Sequence, residues 1–394
     1  MMHILEEDKE YVLNTYQRLD LVMSHGNGSY LYDVRGNKYL DMYSGIAVNN
    51  LGHDKLLSEI MVEQARKYVH VSNYFVSQPV VDLAKKFVHH TFASKVFFAN
   101  TGTESNEAAI KLCKKYGRSL DPNKVQILSA YDSFHGRTTG ALTLTGQSKY
   151  QDQFQPLMPG VAHFKFNDVA DLRSKVSHQT CAVFLEMIQG EGGVVEITQD
   201  FMAELVSLSN EYDFLIVVDE VQTGMGRCGD LFAFEKYGFT PDLVTVSKSV
   251  GGGLPLGVML VAKHLETVFQ PGDHGSTFAP NPVACACGGY VLDQLINSNL
   301  CQEVREKGQY LLTSLDVLKA KYPTVIKDIR GRGFMIGIEV GEFAAQIKQR
   351  AQQHGVLLNS TNHTVIRLLP ALTMSDEELN EFLSVFETVL KEVV

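Results

Sequence analysis

The chain has 394 residues, 45% of them hydrophobic and 20% charged, with a formal net charge of −10; this is ordinary globular usage, long enough for a sizeable core and roughly two or three lobes. The acidic balance disfavours nucleic acid and anionic membranes as main partners, since both reward basic patches, while leaving small anionic ligands open. MMHILEEDKE at the start has no basic stretch followed by an apolar one, no segment has about 18 unbroken apolar residues, and the six cysteines are scattered, with only Cys285 and Cys287 close together; the expectation is a cytoplasmic protein with reduced thiols, no secretory signal, no membrane span and no metal.

Taken in chain order, residues 28–42, GSYLYDVRGNKYLDM, read as a hairpin turning at Arg35-Gly36-Asn37. Short apolar runs then alternate with longer helical patterns. KVFFAN (95–100), VQILSA (125–130), CAVFLEMI (181–188), FLIVVDE (214–220), LVTVSK (243–248) and GVMLVA (257–262) read as buried strands, with helices such as ESNEAAIKLCKKYG and DFMAELVSLSNEYD between them. That alternation predicts βαβ units and a mostly parallel sheet. The gap between LVTVSK and GVMLVA is too short for a crossover helix, so that pair is predicted antiparallel. From about residue 283 the helices lengthen, FMIGIEV and VIRLLP add strands, and the last helix opens with a capping box from Ser375 to Glu378. The expected organisation is an α/β domain over 61–281, with a segment 1–60 and a C-terminal α+β portion 282–394 sharing a smaller domain.

Ligands of open α/β sheets bind outside the C-terminal ends of the strands, and four segments there carry polar residues. In FFANTGTESNEAAIKL, Gly102 permits a tight turn and a helix starts near Thr103; its free N–H groups suit a phosphate, although Thr103 as a simple helix cap fits equally. Asp219 directly follows an apolar strand, so it is either one half of a structural ion pair or the partner of a buried cation such as a protonated pyridine nitrogen. Lys248 precedes its glycines in SKSVGGG, which is the wrong order for a nucleotide loop. It is either a lysine reaching back to solvent or a desolvated amine nucleophile, with the glycines clearing space for a flat ligand. Phe134, His135 and Arg137 follow a further strand: the ring could stack on a flat cofactor and the guanidinium grip a carboxylate, while His135 reads as structural rather than catalytic. A phosphate cradle, a carboxylate for a ring nitrogen, a stacking aromatic and a Schiff-base lysine together are what pyridoxal 5′-phosphate requires.

The ordered motifs YLYDVRGNKYLDMYSGIAVNNLGH, NTGTESNEAAIKL, SFHGRTTGAL, IQGEGGV, VVDEVQTGMGR, SKSVGGGLPLG, GDHGSTFAPNPVACA and VIRLLPALT resemble the class III (subgroup II) pyridoxal-phosphate aminotransferases over nearly the whole chain, and within them the acetylornithine and succinylornithine branch. The resemblance implies the fold type I transferase architecture, with a mostly parallel seven-stranded sheet containing one antiparallel strand. It implies Lys248 as the Schiff-base lysine, Asp219 facing the ring nitrogen, Gln222 near the ring hydroxyl, Gly102 and Thr103 at the phosphate, and Phe134 against the ring. Arg137 matches the arginine for the substrate α-carboxylate. Ser276 and Thr277 match a pair that reaches across a homodimer interface. Arg367 matches the arginine for 2-oxoglutarate, and Glu191 the acid that pairs with it when no dicarboxylate is bound. The implied reaction moves the amino group of N-acetylornithine to 2-oxoglutarate, in arginine biosynthesis. Ornithine, succinylornithine or 4-aminobutyrate as donor, an aminomutase, and a non-catalytic pyridoxal-phosphate module are the rivals. The chain departs from the family pattern at Met187 (usually proline), Ser105 (usually alanine) and Ala279-Pro280 (usually glycines), and none of these removes a catalytic group. No G-x-G-x-x-G opens a first βαβ unit, which argues against a nicotinamide enzyme.

Overall fold

Seven runs of mostly apolar residues form the central sheet of the computed structural model, which describes residues 2–393. They are β1 (Lys95–Ala99), β2 (Gln126–Ala130), β3 (Val161–Phe164), β4 (Thr180–Leu185), β5 (Leu215–Asp219), β6 (Leu243–Val246) and β7 (Gly257–Val261). Their order is β1-β7-β6-β5-β4-β2-β3. β7 runs antiparallel to both β6 and β1, while the other pairs are parallel. The nine-residue span from Lys248 to Leu256 turns back directly, pairing Val246 with Val258. Every residue of β4 and β5 is buried, so these strands read as unbroken apolar runs rather than alternating ones. β3 went unread in the sequence: VAHF is a four-residue edge strand with three residues only half-buried.

The helix Gly102–Leu120 lies over this sheet and starts one step earlier than its sequence suggests. Its N-cap is Thr101, whose side chain accepts from the Glu104 N–H while Glu104 reciprocates. Thr103 is therefore not the cap. Gly102 is required by close approach, because a Cβ there would meet a Val221 methyl at 2.7 Å. Ser105, at a position where alanine was expected, is fully buried and donates to the Thr101 carbonyl at 3.1 Å, so it leaves no polar group unsatisfied.

Two smaller sheets come from the chain ends. Met23–Asn27, Tyr30–Asp33 and Lys38–Asp41 form an antiparallel meander, and Val356–Leu357 adds parallel to Lys38–Asp41, joining N-terminal to C-terminal chain. The predicted turn sits at Arg35–Asn37, held by Asp33 Oδ1, which accepts the N–H groups of Arg35 and Asn37 at 2.9 Å each. Asp328–Arg332, Met335–Glu339, Val365–Leu368 and Asn359–Thr361 make the other sheet, in that order. The capping box of the last helix, Asp376–Val393, is present: Ser375 N–H donates to Glu378 Oε2 at 2.8 Å, and Glu378 N–H donates to Ser375 Oγ at 3.2 Å. Among the described residues no helix is long and apolar enough to cross a membrane.

Candidate active site

The C-terminal ends of β1, β2, β4, β5 and β6 open on a cavity of about 650 Å³. Of the residues singled out from sequence, Gly102, Thr103, Phe134, Arg137, Glu191, Asp219, Gln222 and Lys248 all line it. Arg367, Ser276 and Thr277 do not.

Lys248 leaves β6 with φ +48°, a left-handed backbone unusual for a side-chain-bearing residue, and begins a single 3-10 turn, Lys248–Gly251. The glycines after it serve the backbone more than a ligand. Only Gly253 lines the cavity; Gly252 has φ +59° and packs where a Cβ would meet Leu57 at 2.7 Å. The Lys248 amine is buried, and burial, reinforced by the nearby Arg367 guanidinium, pushes its pKa down to about 8.

Asp219 is held from three sides. Its Oδ2 accepts from Asn106 Nδ2 and His135 Nδ1, both at 2.8 Å, and its Oδ1 accepts from the Val221 N–H at 3.0 Å. Asn106 is oriented in turn: its Oδ1 accepts from the Thr245 hydroxyl at 2.7 Å, and its amide also donates to the His135 carbonyl at 2.7 Å. Burial pushes the His135 pKa down, but the Asp219 carboxylate outweighs it and holds the ring above its ordinary value. His135 is thus the electrostatic partner of Asp219, in keeping with a structural histidine. Asp219 is ion-paired, as the structural reading expects, and it also lines the cavity.

Across the cavity the N-terminus of the Gly102–Leu120 helix presents its free N–H groups. Thr103 Oγ1 accepts from the Arg137 N–H at 3.1 Å, and a Cβ on Gly136, which has φ +140°, would overlap that hydroxyl. The Phe134 ring stands edge-on to Tyr150 at 5.9 Å. The exposed Arg137 guanidinium lies over the Tyr150 ring at 4.1 Å, near the cavity mouth. Phe134 N–H donates to Glu186 Oε2 at 3.0 Å, and Gly190 N–H donates to Glu186 Oε1 at 3.2 Å. Burial pushes the Glu186 carboxyl up to about 7.

Arg367 lies behind the cavity wall, 1% exposed. Its Nη1 donates to Glu191 Oε1 at 2.7 Å and Gln222 Oε1 at 3.1 Å, while Nε and Nη2 donate to Asn359 Oδ1 at 3.1 and 2.7 Å. Burial raises the Glu191 carboxyl, but the Arg367 charge dominates and holds it below its ordinary value. Ser276 and Thr277 sit on a loop tethered by Asn73 Nδ2 to the Ser276 carbonyl at 2.6 Å and by Asn100 Nδ2 to the Ser276 hydroxyl at 3.0 Å. Thr277 and its neighbour Phe278 are exposed.

Asn106, Glu186, Asn359 and Thr361 belong to the site and were not singled out from sequence. Asn106 gave a usable signal, a polar residue on the apolar face of a helix. The others sit on short or irregular segments, where no periodicity marks a residue as inward-facing.

A desolvated amine, a fixed carboxylate, a helix N-terminus and glycine-lined walls around one cavity suit covalent capture of a flat, phosphorylated aldehyde. Comparison with known proteins agrees. The aminotransferase class-III family model matches residues 11–390, and the chain belongs to that family. It is similar to the acetylornithine aminotransferases of Caldanaerobacter subterraneus (43% identical over 389 residues, covering 98% of each chain) and Clostridium acetobutylicum (42% over 386 residues, covering 97% of this chain and 100% of that one). Among solved structures it resembles the ornithine aminotransferase of Toxoplasma gondii, at 27% identity and TM-score 0.95, covering 100% of this chain and 95% of that one. It also resembles the N-acetylornithine aminotransferase of Stenotrophomonas maltophilia, at 31% identity and TM-score 0.85, with 99% of each chain covered.

Proposed function

We propose that the cavity holds pyridoxal 5′-phosphate and that the protein moves the amino group of N-acetyl-L-ornithine to 2-oxoglutarate, giving N-acetylglutamate 5-semialdehyde and L-glutamate, as a step of arginine biosynthesis in the cytoplasm. The observation that carries this reading is that the Lys248 amine and the Asp219 carboxylate open on one cavity, with the Arg367–Glu191 pair in its wall.

When bound, the cofactor supplies an aldehyde for amine capture and a pyridinium ring that withdraws electrons from the substrate carbon. Asp219, oriented by His135 and Asn106, would pair with the ring nitrogen and favour its protonated form. Phe134 would pack against the ring, Gln222 would bind its hydroxyl, and Gly102 and Thr103 at the helix N-terminus would hold the phosphate. Lys248 Nζ would hold the cofactor aldehyde and serve as the base and acid for the proton at the substrate carbon. Its lowered pKa suits both tasks.

The two substrates differ at the reacting carbon. In N-acetylornithine the δ-carbon bears no carboxylate, so an arginine nearby must be neutralised, and Glu191 does this. In glutamate and 2-oxoglutarate the reacting carbon bears a carboxylate, which takes the place of Glu191 on Arg367. Arg137 grips the carboxylate at the far end of either substrate. The similarity to acetylornithine aminotransferases at above 40% identity favours this donor. Free ornithine is the second reading, motivated by the structural likeness to the Toxoplasma enzyme.

Ser276 and Thr277 lie outside the chain's own cavity, and Tyr74, Phe75, Val76 and Phe278 are 95%, 70%, 89% and 68% exposed. Apolar exposure on that scale favours burial against a second copy, with Thr277 reaching the partner's phosphate and Ser276 its substrate. The assay is glutamate formation from 2-oxoglutarate with N-acetylornithine, ornithine, succinylornithine and 4-aminobutyrate offered in turn, alongside sedimentation to read the dimer. N-acetylornithine should give the highest kcat/KM, and Lys248→Ala should abolish turnover. No glutamate from any of the four donors would overturn the reading.

A further inference from the structure

The Arg367–Glu191 pair hangs from one short strand, Asn359–Thr361. At one end of that strand, Asn359 Oδ1 accepts from both Nε and Nη2 of Arg367, at 3.1 and 2.7 Å. This occupies the inner edge of the guanidinium fork and leaves the Nη1 side directed at Glu191 and Gln222. At the other end, the Thr361 hydroxyl, 3% exposed, lies 3.2 Å from the Gly190 carbonyl and 2.9 Å from the Glu191 carbonyl. The Gly190 N–H is bound as well, to Glu186 at 3.2 Å. Gly190 packs closely on the Gln222 side-chain amide, where a Cβ would meet Gln222 Oε1 at 2.3 Å. The backbone that carries Glu191 is therefore held at three polar groups of Gly190 and Glu191, and the guanidinium it meets is held by Asn359, two places from Thr361 on the same strand.

Resting on the reading of Arg367 as the 2-oxoglutarate arginine, we propose that the Asn359–Thr361 strand is the positioning element of this pair. Asn359 sets which edge of the guanidinium is offered to a dicarboxylate. Thr361 anchors the backbone from which Glu191 swings, so that opening the pair is a rotation of the Glu191 side chain alone. The physical reason for such a device is economy of reorganisation. A loop that moved as a whole would have to order several residues again at each half of the catalytic cycle, at a cost in backbone entropy for each. A single side chain turning about a fixed backbone avoids that term. Neither residue touches the reacting atoms in this account; both act through Arg367 or Glu191.

The two residues serve opposite halves of the reaction, and this makes the proposal testable. Single-turnover half-reactions on the holoenzyme, followed by the change in cofactor absorption, separate the donor half from the 2-oxoglutarate half. Asn359→Ala frees the guanidinium, so the apparent KM for 2-oxoglutarate should rise about tenfold while that for N-acetylornithine stays within about twofold. Thr361→Val frees the Glu191 backbone, so Arg367 is poorly neutralised in the donor complex. The donor KM should then rise about fivefold to tenfold, with the 2-oxoglutarate KM within about twofold. Thr361→Ser, which keeps the hydroxyl, should restore the donor KM. If Asn359→Ala yields no folded holoenzyme, Asn359→Asp carries the same test. It keeps both acceptor contacts, so the guanidinium stays aimed, but it puts an anion on Arg367 that competes with the dicarboxylate; the 2-oxoglutarate KM should rise more than about tenfold with the donor KM within about twofold, and equal losses in both halves would overturn the proposal. Equal losses in both halves for Asn359→Ala and Thr361→Val would overturn the proposal. Arg367→Gln separates its failure from that of the function: if Arg367→Gln leaves 2-oxoglutarate kinetics untouched, the proposed role of Arg367 falls; if only the Asn359 and Thr361 variants are silent, the positioning role falls alone.

Discussion

The lowered pKa of Lys248 leads to a measurement in which two neighbours, Arg367 and Glu191, must move one number in opposite directions. Burial and Arg367 bring the amine from 10.5 to about 8, against the pull of Glu191, Asp219 and Glu186; the fall corresponds to about 3 kcal/mol in favour of the neutral form. At pH 7 about one amine in ten is then neutral, against roughly one in three thousand for an ordinary lysine. The assay is the rate at which cofactor-free protein takes up pyridoxal 5′-phosphate as a function of pH, since only the neutral amine attacks the aldehyde. The midpoint should lie near 8 in the wild type, rise in Arg367→Gln, which removes a repelling cation, and fall in Glu191→Gln, which removes an attracting anion. Linkage gives an independent check. Because the folded pKa lies below the unfolded one, the unfolded chain binds more protons between pH 8 and 10.5, and cofactor-free protein gains stability as pH rises through that window. Lys248→Met should remove this contribution, so its stability advantage over the wild type should be largest below pH 8 and vanish above 10.5. A wild-type midpoint near 10.5, or an Arg367→Gln midpoint shifted downward, would refute the electrostatic account of the site.

Three further outcomes follow from single contacts. Asp219→Asn leaves the buried His135 without its counter-charge, which should cost about 3–5 kcal/mol and show as a lowered unfolding temperature together with a slowed donor half-reaction; an unchanged unfolding temperature would mean that His135 is uncharged in the folded protein. Gly136→Ala drives a methyl group into the Thr103 hydroxyl at a left-handed backbone position, and should weaken cofactor retention on dialysis while leaving the rest of the fold intact by circular dichroism; full retention would remove Thr103 from the phosphate cradle. Arg137→Ala removes one charge-assisted contact, about 1.5–3 kcal/mol, and should raise the donor KM roughly tenfold to a hundredfold with less effect on kcat; unchanged donor kinetics would take Arg137 out of the site.

Residues at the ends of buried strands were legible because a polar group there interrupts an otherwise apolar run. Asp219 after LIVV and Lys248 after LVTVS are cases of this kind, and the structure brings both to one cavity. Other readings needed adjustment. Thr103 was weighed as a helix cap, a task that Thr101 and Glu104 perform together. The glycines after Lys248 were credited with clearing room for a ligand, whereas Gly252 makes a left-handed turn against Leu57. In both cases the residue type was read correctly and its neighbour in space was not available from the string.

Local order along the chain was enough to determine six of the seven central strands, the antiparallel return after Lys248, the turn at Arg35–Asn37, the capping box at Ser375 and the residue types of a pyridoxal-phosphate site. These follow from side-chain periodicity and from hydrogen bonds spanning a few residues. Tertiary structure alone decided that Asn106 and His135 orient Asp219, that Glu186 joins the Phe134 backbone to that of Gly190, and that one short strand holds both Arg367 and Glu191. Apart from Glu186 to Gly190 and Asn359 to Arg367, four and eight positions apart, those contacts join residues 29 to 171 positions apart. Over such separations sequence spacing carries no distance information, and only the packing of the sheets fixes which polar groups meet.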